Sequence, residues 1–447
     1  MPVTGNPGLV IAAPASGSGK TVLTLGLLRH LASMGRNVAS AKAGPDYIDP
    51  AFHAAATGKP CLNLDSWAMR PDTLAEAACR LARKADVVIC EGVMGLFDGA
   101  FVGKGEPRGS TADLSRATGW PVVLVIDAGA QAASAAAVLK GFATFQAGVE
   151  VVGVVFNRVG SERHGAILRD ACARSVAEIP VLGCLPRAPG LELPERHLGL
   201  VQAGEHKDLE GFLDRAGAWA AEHLDVDGLL ALARPLALGG GPPDPPLPPL
   251  PPLGQRIAVG ADEAFAFSYP LVIDGWRDAG AEIVPFSPLA GEGPDGDADA
   301  VYLPGGYPEL HAGTLAAAKG FMDGLASAAA RGTKIFGECG GYMVLGRGLI
   351  DNAGTRHAMA GLLALETSFA KPKLHLGYRR AVTLSGGTLG EAGIAYRGHE
   401  FHYAEVIEEG PGEPLFHAAG AEAQDLGPAG LVDGKVAGSF IHLIDRE

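Results

Sequence analysis

Short, largely apolar runs punctuate the first half of the chain at Leu9–Ala13, Val38–Ala43, Val87–Cys90, Val122–Asp127, Val151–Phe156 and Val181–Cys184. Longer, helix-like stretches separate them. A strand that is apolar at every position has no face for water. These runs therefore predict a parallel sheet covered by helices on both faces. The second half opens the same way, with Ile257–Gly260, Ile283–Phe286, Ala300–Leu303 and Lys334–Gly337. It then becomes more mixed, with shorter runs over Arg379–Leu384, Glu400–Val406 and Val436–Ile441. Between the halves, the proline-dense stretch Pro242–Pro252 can be neither helix nor central strand and reads as an extended spacer. The expectation is an α/β chain of two domains, 1–235 and 254–447, joined by a Pro-rich linker over 236–253, without internal repeats.

Composition narrows this picture. A chain of 447 residues is too long for a single core. With 47% hydrophobic and 19% charged residues it is globular and not disordered. The net charge of −14 argues against nucleic acid as a partner, because phosphate contacts need a basic face. Cys61, Cys79, Cys90, Cys172, Cys184 and Cys339 are scattered, with no Cys-x-x-Cys pair. That spacing suggests neither a zinc site nor a disulfide framework, and it fits a reducing cytoplasm. No signal-peptide pattern opens the chain and no run of about 20 apolar residues occurs, so no membrane partner is expected.

Each strand-like run in the first half leads into residues that carry chemistry. Pro14-Ala15-Ser16-Gly17-Ser18-Gly19-Lys20-Thr21 follows the first. A glycine-rich turn between strand and helix aims backbone N–H groups at phosphate oxygens. Ser16, Gly17 and Gly19 would form the cradle, Lys20 would neutralise the β and γ phosphates, and the Thr21 hydroxyl would reach Mg²⁺. Proline stands where the usual pattern has its first glycine. Lys42 through Pro50 closes the second run, which places Asp46 near the same metal and Lys42 near the γ-phosphate or a substrate carboxylate. Glu91 closes the third as a second Mg²⁺ ligand, with Asp98 further along the same glycine-rich stretch. Asn157 closes the fifth and is a candidate reader of an adenine edge. Tyr47, Asp98, Arg187, Arg196 and His197 are candidate contacts for an anionic substrate.

In the second half, Gly337-Glu338-Cys339-Gly340-Gly341-Tyr342-Met343 reads as strand, sharp turn and helix start. Such a turn holds a thiol at a sheet edge, where a helix N-terminus lowers its pKa and the next N–H faces an oxyanion. Taken alone, Cys-Gly-Gly serves equally well as a buried structural cysteine. Gly305-Gly306 follows another strand-like run and offers a second set of backbone donors. His442 closes a short apolar run near the C-terminus and is the candidate base.

Together, the Cys339 turn, the Pro304–Glu309 loop and His442 resemble class I glutamine amidotransferase domains, in the branch found among corrinoid enzymes. The stretches Lys42–Pro50 and Glu91–Gly99 resemble the dethiobiotin-synthetase-like half of the same enzymes. In this order the motifs resemble the cobyrinic or hydrogenobyrinic acid a,c-diamide synthase family, over nearly the whole chain except the proline linker. The resemblance implies a P-loop NTPase-type domain followed by a flavodoxin-like amidotransferase domain. It implies Cys339 as nucleophile, His442 as its base, and the N–H groups of Gly306 and Gly340 as oxyanion donors. It also implies ATP and Mg²⁺ as cofactors, with L-glutamine and a corrin polycarboxylate as substrates. Triad amidotransferases usually carry a glutamate two residues after the histidine. Here that residue is Ile444, and Glu400, His402 or a backbone carbonyl remain open as the group that orients His442. Rival readings are cobyric acid synthase, which amidates other corrin carboxylates, a ParA/MinD-like ATPase switch, and an inactive amidotransferase relic. A homodimer is compatible with the sequence, which does not decide oligomeric state or whether the corrin carries cobalt.

Overall fold

A computed structural model of the chain describes residues 4–101, 108–193, 195–196, 199–238 and 247–447. They form two compact α/β units, one drawn essentially from residues up to 246 and the other from 247 onward. The seven parallel strands of the first unit are β1 (Thr4–Ala12), β2 (Val38–Ala43), β3 (Leu62–Leu64), β4 (Val87–Glu91), β5 (Val122–Asp127), β6 (Val151–Val159) and β7 (Val181–Pro186). They lie in the order β3-β2-β4-β1-β5-β6-β7. The pair β8 (Glu195–Arg196) and β9 (Gly199–Leu200) forms a separate two-residue ladder, and β10 (Arg234–Ala237) runs antiparallel to β1. Leu9, Val10 and Ile11 of β1 and Val122 through Val125 of β5 are fully buried, as central strands without a solvent face must be.

The proline linker begins later than the composition suggests. Leu236 and Ala237 are strand residues of β10, because their backbone groups find partners along β1. Residues 239–246 lie outside the described part of the chain. From Leu247 onward the chain packs with the second unit, and Leu250 and Leu253 are buried there.

The second unit contains β11 (Arg256–Gly260), β12 (Glu282–Phe286), β13 (Ala300–Leu303), β14 (Lys334–Glu338), β15 (Gly348–Ile350), β16 (Arg356–Ala358), β17 (Leu365–Ser368), β18 (His375–Thr383), β19 (Ala395–His402), β20 (Glu405–Glu409), β21 (Glu413–Gly420), β22 (Asp425–Asp433), β23 (Val436–Ser439) and β24 (Ile441–Arg446). Its main sheet has the order β12-β11-β13-β14-β23-β22-β21-β18-β19-β24. The first five strands are parallel, in the 2-1-3-4-5 order of a flavodoxin-like sheet, and the rest extend it antiparallel. A smaller sheet, β16-β15-β17-β20, stands beside it.

Two apolar runs that read as single strands are each broken in the fold. Glu400–Val406 divides between β19 and β20, and Val436–Ile441 divides between β23 and β24. At Phe440 the chain leaves the parallel core and enters the antiparallel extension. His442 is thus the second residue of a strand, paired with His399 of β19, and does not close one.

The core of this unit gathers around Phe321, which is fully buried with its ring centroid 6.1 Å from that of Phe265 and 6.2 Å from that of Phe286. Phe321→Ala is expected to cost the second unit about 3–5 kcal/mol, as buried Phe truncations do. Chemical denaturation of the full chain followed by near-ultraviolet circular dichroism measures this, and a loss below about 1 kcal/mol would contradict the packing described.

Candidate functional site

In the first unit the sequence motifs converge where strands end. The helix Lys20–Ser33 starts directly after the glycine-rich turn that follows β1. Ser16 and Gly17 are exposed at the tip of that turn. Gly17 and Gly19 have φ of 75° and 92°, a left-handed conformation that glycine adopts without strain. Gly19 is required for a second reason: an added Cβ would stand 2.1 Å from Nδ2 of Asn157. That amide donates to the Ser18 carbonyl at 2.9 Å. Asn157, expected at an adenine edge, braces the glycine-rich turn through this bond.

Lys20 Nζ donates to the Met94 carbonyl at 2.7 Å, and burial, partly offset by Glu91, lowers its pKa. The Thr21 hydroxyl donates to Glu91 Oε1 at 2.6 Å. Lys42 and Glu91 are register partners across β2 and β4, and Lys42 Nζ lies 3.0 Å from Glu91 Oε1. Lys42 also pairs with Asp49, a residue the motif reading passed over. His53, one helical turn after Asp49, reaches Glu91 Oε2 with Nε2 at 2.7 Å and lies 3.5 Å from Cys61 Sγ with Nδ1.

This is a fully buried charge cluster, and buried charges persist only when paired. Burial by itself would raise the Glu91 pKa, but Lys42, His53 and Thr21 hold it well below the usual carboxylate range. Burial with nearby Asp46 pushes Asp49 up to about 7. Lys42, expected near the γ-phosphate or a substrate carboxylate, is paired here with two carboxylates. Asp46 accepts the N–H groups of Ile48 at 2.8 Å and Asp49 at 3.2 Å, so its carboxylate shapes its own loop. Asp98, exposed, accepts Gly95 N–H at 2.9 Å and holds the glycine-rich turn after β4. Tyr47 is buried. Arg187 is exposed after β7, with its guanidinium over Gly129. Arg196 lies in β8, and His197 lies outside the described residues.

In the second unit Cys339 stands between β14 and the short helix Gly340–Leu345, with φ 46° and ψ −103°. A non-glycine residue there is strained by about 1–3 kcal/mol and must be held. Its N–H donates to the Ser439 carbonyl at 2.8 Å, and Gly341 N–H donates to the Pro304 carbonyl at 3.1 Å. The turn is thereby locked between β23 and the loop after β13. That loop carries Gly305 and Gly306. A Cβ on Gly305 would meet His442 Cε1 at 2.3 Å, so the imidazole lies directly on this glycine. A Cβ on Gly340 would stand 2.9 Å from Gly306 N, so the two glycines pack against each other.

The helix N-terminus does not win the contest over the thiol. Burial, followed by the charge of Glu309, pushes the Cys339 pKa up, and the Gly340 N–H offsets only part of this. Burial and the neighbouring His399 and His402 push His442 down to about 3, so its imidazole is neutral. Of the groups left open to orient His442, Glu400 is already engaged by Arg379 at 2.7 Å and His402 at 2.9 Å. Ile444 is buried and apolar. Glu338, not singled out from the sequence although it precedes Cys339, has Oε2 4.0 Å from His442 Nδ1.

All six cysteines are free, and no helix among the described residues is long and apolar enough to cross a membrane. Residues 9–201 match the family model of the CobQ/CobB/MinD/ParA nucleotide binding domain, and residues 256–447 match the CobB/CobQ-like glutamine amidotransferase domain. A protein of Brucella anthropi named hydrogenobyrinate a,c-diamide synthase is 53% identical over 98% of this chain and 98% of its own length. Proteins of the same name from Sinorhizobium and Rhizobium meliloti are also 53% identical, over 98% of this chain and 98% and 99% of their own lengths. The chain belongs to the hydrogenobyrinate a,c-diamide synthase family, ATP-dependent ligases of cobalamin biosynthesis that use glutamine as the nitrogen donor.

Proposed function

We propose that the substrate is cobalt-free hydrogenobyrinate, amidated at its a and c carboxylates, and that two separate sets of residues divide the chemistry. The name shared by the relatives supports this substrate. One observation carries the division: each unit holds its own buried set of reactive groups, Thr21–Glu91–Lys42 in one and Cys339–His442 in the other.

A carboxylate is a poor electrophile, and free ammonia is mostly protonated at neutral pH. The first unit addresses the former. The Gly17–Gly19 turn and Lys20 bind the ATP phosphates, and a substrate carboxylate attacks the γ-phosphorus to give an acyl phosphate and ADP. The hydroxyl of Thr21 and the carboxylate of Glu91, already 2.6 Å apart, are a hard-oxygen set that suits Mg²⁺, with Asp46 as a further candidate ligand. Such an ion, when bound, neutralises phosphate charge. Lys42, released from part of its pairing, steadies the transferring group. Tyr47, Asp98, Arg187, Arg196 and His197 remain candidates for holding the corrin carboxylates.

The second unit supplies ammonia. His442 takes the Cys339 proton as sulfur attacks the glutamine amide carbon. Gly306 and Gly340 N–H groups hold the oxyanion, and the proton passes to the departing ammonia. Water then cleaves the thioester to glutamate. The ammonia attacks the acyl phosphate, releasing phosphate and the new amide. The enzyme works in the cytoplasm, with neither nucleic acid nor membrane as partner.

Two experiments test this division. Cys339→Ala is expected to abolish glutamine-dependent amidation while ammonium salts still support it, with the a,c-diamide product counted by mass spectrometry. Loss of both activities together would refute two separate sites, and amidation of other corrin carboxylates would point to a cobyric acid synthase. Glu91→Ala is expected to lower ADP formation by roughly 100-fold or more, the scale on which removing phosphoryl-transfer machinery acts. Glutamine hydrolysis should persist, and its parallel loss would place Glu91 in a structural role instead.

A further inference from the structure

The position two residues after His442, where triad amidotransferases usually carry a glutamate, is the apolar, buried Ile444. The fold supplies another carboxyl from a different strand. Glu338 ends β14 and is 2% exposed. Its Oε1 accepts Leu443 N–H at 3.1 Å, and its Oε2 accepts the Tyr302 hydroxyl at 2.8 Å. Leu443 directly follows His442, so the first bond ties the carboxyl to the backbone that carries the imidazole. The second fixes its rotation from β13. With both oxygens held, Oε2 comes to 4.0 Å from His442 Nδ1. A carboxyl restrained by two donors on two strands is a preorganised group and not an incidental neighbour.

We propose that Glu338 is the positioning residue for His442, taking over from another strand the task that Ile444 cannot perform. Its carboxylate favours the tautomer with the proton on Nδ1, which leaves Nε2 as the base for Cys339. It also offsets the imidazolium charge that forms when His442 takes the thiol proton, which moves from sulfur to Nε2 as the sulfur–carbon bond forms. Cys339 makes the same point from the other side. Its thiol is held up by burial, so acylation depends on the basicity of His442. The inference rests on Cys339 and His442 being the glutaminase pair.

Glu338 is faced by Tyr302 from β13 and by Leu443 N–H from β24, and His442 by His399, Glu400 and His402 from β19; Cys339 lies between Glu338, Glu400 and Glu309 of the loop after β13. Burial pushes Glu338 up to about 8, against the pull of the Leu443 and Tyr302 donors. Its remaining side borders a cavity of about 120 Å³ also lined by Trp276, Phe336, Tyr396 and Leu443, which leaves room for the proton to depart. A carboxyl with a raised pKa is neutral below that value and charged above it. Glutaminase kcat should therefore rise with pH through about 8.

The test is steady-state glutamine hydrolysis by the full chain across pH 6–10. Glu338→Gln keeps the side-chain shape. It is expected to lower kcat roughly 10- to 100-fold with KM for glutamine nearly unchanged, and to remove the alkaline rise. Glu338→Asp, which restores a carboxylate, should recover part of the rate and part of the rise. Tyr302→Phe removes one donor to the carboxylate and should move the rise to higher pH. Ammonium-dependent amidation by the same variants reports folding. Wild-type kcat and pH profile in Glu338→Gln would overturn the proposal, as would a Tyr302→Phe profile that does not move. Cys339→Ala, run in parallel, separates this outcome from failure of the glutaminase assignment itself, which would show as glutamine hydrolysis surviving without the thiol.

Discussion

The backbone at Cys339 occupies a conformation that an L-residue avoids, and the second unit is arranged so that it has no alternative. The parallel strands β13, β14 and β23 end side by side, and their carbonyls hold the turn from both sides through Pro304 and Ser439. Strain of this kind persists only where the surroundings over-determine it. Here the surroundings are also the reactive groups. The loop that receives Gly341 N–H presents Gly305 and Gly306, and the strand that follows Ser439 presents His442. Locking the turn and assembling the site are one packing event.

The first unit solves a different problem, that of keeping several charges in a dry place. Lys42, Asp49, Glu91 and His53 are all buried, and any one of them alone would be too costly to keep ionised. As a set they neutralise one another, and the Glu91 carboxylate stays charged against its own burial. The arrangement also implies that ligand binding must redistribute these pairings. On the proposed roles of Lys20 and Lys42, an arriving phosphate would compete for the cations that now hold Met94 and Glu91.

Both units place most of their candidate residues at or beyond the carboxyl ends of parallel strands, as short apolar runs followed by glycine-rich turns predict. Val122–Asp127 and Ala300–Leu303 form the strands that their apolar runs predict. Lys20, Thr21, Lys42, Glu91 and Cys339 all stand at or just beyond such ends. Where the reading failed, the missing information was directional. The run Val436–Ile441 is mostly apolar, yet β23 runs parallel to β14 and β24 antiparallel to β19. Hydrophobicity does not encode that reversal. Asn157 does not close its strand, which runs on to Val159, and its amide turns toward Ser18, a residue distant in sequence.

The sequence by itself determined the α/β class of both halves, the phosphate loop, the thiol turn and the pairing of a nucleotide-binding half with an amidotransferase half. These are properties of short segments, where strand, turn and helix signals lie within a dozen residues of one another. Tertiary structure alone decided which groups face each other. Asp49 and His53 enter the charge cluster only because β2 and β4 are neighbours in register. Glu338 reaches His442 only because β14, β23 and β24 follow one another around Phe440, bringing residues more than a hundred positions apart to the same few ångströms. Side-chain partnerships of this length depend on strand order and register, and no local pattern in the chain records either.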